Sequence, residues 1–263
     1  MSKFSCHMKI YFISILFALS IIGVCGCREK STKNAEALLP NDSLAVPDTG
    51  YTGIKQYMSG EYLIKEVTFR NGVREGLMKS FYQSGKLRQS FNYRNGLRQD
   101  SAIWFYEEGQ VFRTTPYIND TIDGIQKQYY RNGKLKARLA YRKGFRTPTL
   151  EEFTPEGKLV KGYPDLIVIP KDDYRRRGIY SITLQLSDKS PKVRFYRGEF
   201  YNGVFDTTRI NRIKTVDGTG KLDLKKNGAS GNGYVGIIAE IMTGFGNNYL
   251  VYKKITFPYG DLN

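Results

Sequence analysis

Three adjacent acidic pairs are the first residues whose types could do chemistry: Glu107-Glu108, Glu151-Glu152 and Asp172-Asp173. Two carboxyl groups on either side of a glycosidic bond can hydrolyse it, one as acid and the other as base or nucleophile. Neighbours on a strand point to opposite faces, so neither Glu pair makes such a dyad by itself. A dyad would have to be assembled from distant residues. GTGK at 218–221 has the end of a phosphate-binding loop, but Thr215 stands where that motif needs its first Gly, and Leu222 where it needs Ser or Thr. GASGNG at 228–233 reads as a hairpin loop. The one histidine is His7, and the three cysteines are Cys6, Cys25 and Cys27. If this leading segment is removed and Cys27 is modified, no His and no free thiol remain. Ser-His-Asp and Cys-His catalysis, the usual zinc ligands and His-ligated haem then drop out. Carboxylate pairs and a Ser-Lys dyad stay open. We expect no metal and no cofactor.

The leading segment places the protein. Lys3 and Lys9 precede an apolar run over 10–24, shorter than the ~20 residues of a membrane span and typical of a secretory signal. VCGC at 24–27 resembles a bacterial lipobox. The resemblance implies cleavage before Cys27 and a lipid anchor on that cysteine. The alternatives are an uncleaved membrane anchor, or lipid on Cys25. A signal peptide over 1–26 and a polar, Pro-containing tether over 27–50 are expected. Arg28-Glu29-Lys30 is not an obvious acidic surface-export signal. The expected location is the bacterial cell envelope, in the outer membrane facing the periplasm.

The elements that would position any site are repeated. Aromatic residues recur at a spacing of 24: Phe69, Tyr93, Tyr117 and Tyr141. Each precedes a turn-like tripeptide (RNG, RNG, IND, RKG). Twelve residues later come Phe81, Phe105, Tyr129 and Phe153, followed by Tyr82, Tyr106, Tyr130 and Thr154. Asn-Gly accepts the positive φ of a tight hairpin. In KLKARLAYR, Leu135, Ala137, Leu139 and Tyr141 alternate with Lys134, Lys136, Arg138 and Arg142, the period of a strand. The first copy sets Leu87, Phe91 and Tyr93 against Lys86, Arg88 and Arg94. One face should pack, and the other should be basic and wet. Of paired aromatics such as Phe105-Tyr106, one should be exposed.

In Phe69-Arg-Asn-Gly72 with Gly76, and its later copies, the chain resembles bacterial MORN-type repeats, in which a Tyr-x-Asn-Gly-x-x-x-Gly core recurs in β-hairpins. The resemblance covers roughly 57–164. It implies an elongated antiparallel sheet that mostly serves as a scaffold or interaction surface. The copies depart from the core: Asp100 and Pro148 replace the second Gly, and Asp120 replaces the turn Gly. Repeats are expected over 51–164. Over 165–263, LIVIP, IYSITLQLS, KVRFYRGEF, RINRIKTV, KLDLKK, GYVGIIAEIMT and YLVYKKITF read as strands joined by turn-rich segments. They suggest a β-sandwich, and the fold class is all-β.

The chain carries a net charge of +16, with 18 basic and 9 acidic residues in 69–164. Export argues against nucleic acid as the ligand for this charge, so anionic lipid, glycan or an envelope protein is expected instead, besides the membrane reached through the N-terminal lipid. The expected function is a non-catalytic binding or assembly module. Its anion-binding stripe would be Lys86, Arg88, Arg94, Lys134, Lys136, Arg138 and Arg142. Two alternatives remain: a glycan-directed envelope hydrolase with a carboxylate pair, and cations that only keep the sheet soluble.

Overall fold

Four hairpin turns organise the first half of the chain. At their tips, Asn71-Gly72, Asn95-Gly96, Asn119-Asp120 and Lys143-Gly144 all have positive φ at both residues. Such turns match the right-handed twist of the strands they join. Asp120 (φ 64) stands in for Gly because Asp tolerates this conformation better than most residues. The structure is a computed structural model and describes residues 50–228, 231 and 233–263. The expected signal peptide, Cys27 and the tether up to residue 49 lie outside the described residues.

The turns join a 10-stranded antiparallel sheet. Its strands are β1 (Gly53–Ser59), β2 (Tyr62–Arg70), β3 (Val73–Phe81), β4 (Leu87–Arg94), β5 (Leu97–Phe105), β6 (Val111–Ile118), β7 (Thr121–Ile122), β8 (Gly124–Tyr129), β9 (Leu135–Arg142) and β10 (Phe145–Glu152). Each neighbour in the sheet is the next strand in the chain, apart from the short β7, which pairs beside β6. After every turn, the outgoing strand holds two more residues than its partner before the ladder resumes. The second Gly of the repeat sits in this bulge. Gly76, Asp100 and Gly124 have φ of 90, 61 and 112 there. Pro148 occupies the bulge of the fourth copy, whose ladder resumes at Leu150 with Leu139.

The opposite ends of the hairpins repeat a second pattern. The Tyr82, Tyr106 and Tyr130 hydroxyls donate to the carbonyls of Phe105, Tyr129 and Phe153, at 2.6, 2.8 and 2.6 Å. The paired aromatics therefore have separate tasks. The first lends its carbonyl to the preceding repeat, and the second reaches the following one. Both members of each pair are half-buried, so the expected exposed partner is not found. Thr154 is too short to continue this ladder.

The rest of the chain forms two four-stranded sheets. One has the order β11 (Leu166–Asp173), β12 (Ile179–Leu186), β16 (Thr219–Lys225), β15 (Thr215–Val216). The other has the order β14 (Asn211–Ile213), β13 (Val193–Arg197), β17 (Tyr234–Met242), β18 (Asn248–Thr256). Ile182, Leu184, Leu186 and Leu224 of the first meet Phe195, Ile237, Ala239 and Ile241 of the second in one core. This is a β-sandwich. β17 is an interior strand buried on both faces, because Ile238 packs with Tyr196, Ile210 and Leu250 on its far side. RINRIKTV, read as one strand, is two strands in different sheets, β14 and β15. One helical turn, α1 (Tyr174–Arg177), lies between β11 and β12 and ends at Gly178 (φ 65).

Candidate functional site

The repeat sheet has a packed face and an open face. Val67, Met78, Phe91, Tyr93, Ala102 and Tyr117 are buried on the packed face, in a cluster built from this sheet alone. Arginines share that face. Arg74 lies 4.6 Å from the Tyr93 ring, Arg98 lies 4.5 Å from Tyr117, and Arg113 lies 4.1 Å from Trp104. The long apolar stems and flat guanidinium groups cover aromatic rings that, among the described residues, no second layer covers. Arg98 also donates to Asp120 at 2.7 Å. Burial pushes the Asp120 carboxyl up, but the hydrogen bonds and charge of Arg98 outweigh it and hold the group below the usual carboxylate range. The expectation of cations on one face alone is therefore corrected: they divide between both faces. The sequence carried a sign of this, since Arg74, Arg98 and Arg146 each stand five residues after a repeat aromatic.

On the open face the seven proposed anion-binding residues form two groups. Arg88 and Arg94 are on β4, with Lys86 in the turn before it. Lys136, Arg138 and Arg142 are on β9, with Lys134 just before it. β5, β6 and β8 separate β4 from β9, so the cations do not run as one unbroken stripe. Between the groups the face exposes Leu97, Phe112, Ile118 and Ile125. Several cations already have partners. Arg138 pairs with Glu151 at 3.0 Å. Lys134 donates to the Glu156 carbonyl at 3.1 Å, and Arg142 donates to the Asn202 carbonyl at 3.0 Å. Lys136 sits 5.9 Å from the Tyr130 ring. Arg88 is half-buried, and its Nε has no hydrogen-bond partner.

The acidic pairs separate as strand geometry requires. Glu151 is on the open face with Arg138, whereas Glu152 is fully buried. It accepts from the Tyr163 hydroxyl (3.0 Å), Thr243 Oγ1 (2.8 Å) and Asn247 Nδ2 (2.7 Å). Asn247 accepts in turn from Gln128 at 2.9 Å. Burial and the Glu152 charge push the Tyr163 hydroxyl far above its ordinary range. Beside it, Arg146 donates to the Asn248 carbonyl at 2.6 Å. These bonds fasten the last repeat strand to the β17–β18 turn of the sandwich. A cleft of about 330 Å³ opens next to this joint, lined by Tyr163, Asp188, Ser190, Lys192, Met242 and Phe245 among others. Glu108 of the other Glu pair is ion-paired with Arg131. Among the described residues, no three His, Cys, Asp or Glu side chains gather as they would around a metal ion. Gly220 of GTGK lies in β16 against the Phe195 ring, where a Cβ would come within 2.7 Å, so it serves packing.

Residues 74–95, 101–119 and 122–143 match the family model of the MORN repeat variant. These three segments are MORN-type repeats. The three matches span β3 to β9, and the hairpin pattern of the MORN sheet continues beyond them to β1 and β10. No curated protein and no solved structure matches the chain.

Proposed function

We propose that the protein is a non-catalytic binding or assembly module of the bacterial cell envelope. Lipid on Cys27 holds it to a membrane, on the periplasmic side of the outer membrane. The open face of its MORN sheet takes an anionic envelope component or a protein partner. One observation carries this reading: that face exposes cations beside large apolar side chains across the sheet, with Arg94 near Leu97 and Arg142 near Phe145. A face meant only for solubility would be polar throughout. Glu152, the carboxylate buried at the joint, has its oxygens taken by three donors, which favours a structural role for it over acid–base work.

Two measurements test the proposal. Cys27→Ala should abolish palmitate labelling and leave an unprocessed precursor, and unchanged labelling would remove the anchor. Lys134→Glu, Lys136→Glu and Arg138→Glu together should weaken binding to anionic vesicles or lipopolysaccharide. Lys136 is half-buried and Arg138 faces Glu151, so the three reversals should cost roughly 1–2 kcal/mol while leaving the fold intact, which far-UV circular dichroism checks. Binding should also fall with salt, because exposed charges are screened over ~8 Å at physiological ionic strength. Equal binding by both proteins at low salt would reduce these cations to a solubility device.

A further inference from the structure

The four tight turns lie along one long side of the MORN sheet, and on the open face each is closed by a cross-strand pair. The pairs are Arg70 with Val73, Arg94 with Leu97, Ile118 with Thr121, and Arg142 with Phe145. All eight side chains are exposed. Val73, Leu97, Ile118 and Phe145 keep 44%, 41%, 56% and 40% of their surface in solvent. Successive turns are hydrogen-bonded to one another. Gly96 N–H donates to Arg74, Asp120 N–H to Arg98 and Gly144 N–H to Ile122, at 2.9, 3.0 and 2.8 Å. The rim is therefore a held row, with one cation and one apolar side chain per repeat at three of its four turns. The third turn is apolar and uncharged.

We propose that this rim docks an acidic amphipathic helix of a protein partner. The inference rests on the reading that the open face binds, and it names the occupant. Charge complementarity requires acidic groups, and the exposed Val, Leu, Ile and Phe require apolar ones beside them, which a purely polar polymer lacks. Spacing selects the helix. A repeat contributes two strands, so its pairs recur about every 9.6 Å. A helix returns the same face every seven residues, about 10.5 Å. A β-extended chain presents one face every second residue, so its matching side chains recur at about 6.7 or 13.4 Å, and neither spacing follows the rim. A polyproline II chain returns a face every three residues, about 9.3 Å, but sets only one side chain per turn on it, whereas each helical heptad sets the two that a cation and an apolar side chain together call for. The partner helix should thus carry an acid and an apolar residue per heptad. Its acids face Arg70, Arg94 and Arg142, and no acid is needed opposite Ile118 and Thr121. The bond from Arg142 to the Asn202 carbonyl fixes that side chain near the end of the row.

The test uses the full chain and a labelled synthetic peptide of about four heptads, with Glu at one position and Leu three residues on in each heptad. The third heptad carries Ala in place of Glu. An isomer of equal composition, with Glu and Leu scattered around the helix, is the control. Fluorescence anisotropy should show the patterned peptide binding at least about tenfold tighter than the isomer. Arg94→Glu and, separately, Leu97→Ser should each remove about tenfold of that affinity, whereas Lys171→Glu, on β11 of the sandwich, should not. Equal binding of the two peptides, or affinity indifferent to both rim variants, overturns the inference. Phosphatidylglycerol vesicles separate its failure from that of the broader reading. If vesicles bind and neither peptide does, the open face remains a binding face and the helix falls. If neither vesicles nor peptides bind, both readings fall.

Discussion

Glu152→Ala should uncouple the MORN sheet from the sandwich. The wild-type carboxylate is fully buried and accepts three hydrogen bonds, at 3.0, 2.8 and 2.7 Å, from residues 11, 91 and 95 positions later in the chain. Truncation strands the Asn247 amide, which is itself buried, and removes the acceptor of two half-buried hydroxyls. Leaving a buried donor without its acceptor costs roughly 1–3 kcal/mol, so losing the acceptor of all three should cost at least about 2 kcal/mol, a large share of the ~5–15 kcal/mol that stabilises a typical domain. Glu152→Gln separates this mechanism from simple loss of volume. Its carbonyl can still accept from Thr243 and Asn247, and its NH2 can donate to the Tyr163 oxygen, so it should cost only about 1 kcal/mol. The chain has a single tryptophan, Trp104 on β5 of the sheet. Its fluorescence reports the sheet, while far-UV circular dichroism reports all strands. In urea the two transitions should coincide for wild type and for Glu152→Gln, and should separate for Glu152→Ala. A Glu152→Ala protein within 1 kcal/mol of wild type, or a Gln variant as unstable as Ala, would refute the role given to this network.

The repeat and sandwich contacts give three more expectations. Tyr106→Phe removes the hydroxyl that donates to the Tyr129 carbonyl at 2.8 Å and should cost about 1 kcal/mol by urea denaturation, as a single hydrogen bond does; no change would mean that the inter-repeat ladder is incidental. The Asp120 carboxyl is held below its ordinary value in the folded protein, so its stabilising contribution is present above the unfolded pKa, near ~3.9, and is lost as pH falls through the lower folded value. Asp120→Asn should therefore flatten the acid side of the melting profile, and an identical profile would sink the pairing argument; the effect should be small, at most ~1 kcal/mol, because the Arg98–Asp120 pair is over a third exposed on the Asp side. Gly220→Ala would place a Cβ 2.7 Å from Phe195 and should destabilise the sandwich by ~1–3 kcal/mol through overpacking, measured by calorimetry; a neutral result would show that the Phe195 ring can shift freely.

The architecture was legible wherever a backbone requirement restricts residue type. Positive φ at a hairpin tip selects Asn and Gly, so the four turns could be counted along the chain, and strand alternation between them separated Leu135, Ala137 and Leu139 from Lys136 and Arg138. The departures were readable for the same reason: Asp120 adopts the conformation that Gly would, and the bulge geometry explains the glycines at 76 and 124. The join between β14 and β15 was not legible, because RINRIKTV keeps its alternation while the chain passes from one sheet to the other. Periodicity reports which residues share a face, but it cannot report what covers a face once it is formed.

That limit explains why the candidate site was read only in part. Arginine at five residues after a repeat aromatic looks, in sequence, like any solvated cation. In a sheet whose cluster has no second layer over it among the described residues, the same residue becomes the cover of an aromatic ring, and its charge leaves the pool available to a ligand. Arg74 and Arg98 are used in this way, and Arg113 covers Trp104 likewise from another position of the repeat. Glu151 and Glu152 differ by one position and by nothing in type, yet one is spent on a surface pair and the other at the joint with a segment about 90 residues away. The cations most open to a ligand are those that strand parity places on the open face and that, among the described residues, no local partner occupies. Arg70 and Arg94 are of this kind, and both are at turns where an exposed apolar residue closes the hairpin. A net charge of +16 therefore overstates what a ligand meets. Recognition by this sheet should depend less on total charge than on pattern, and substitutions at Arg94 should matter more than equal changes of charge elsewhere on the chain.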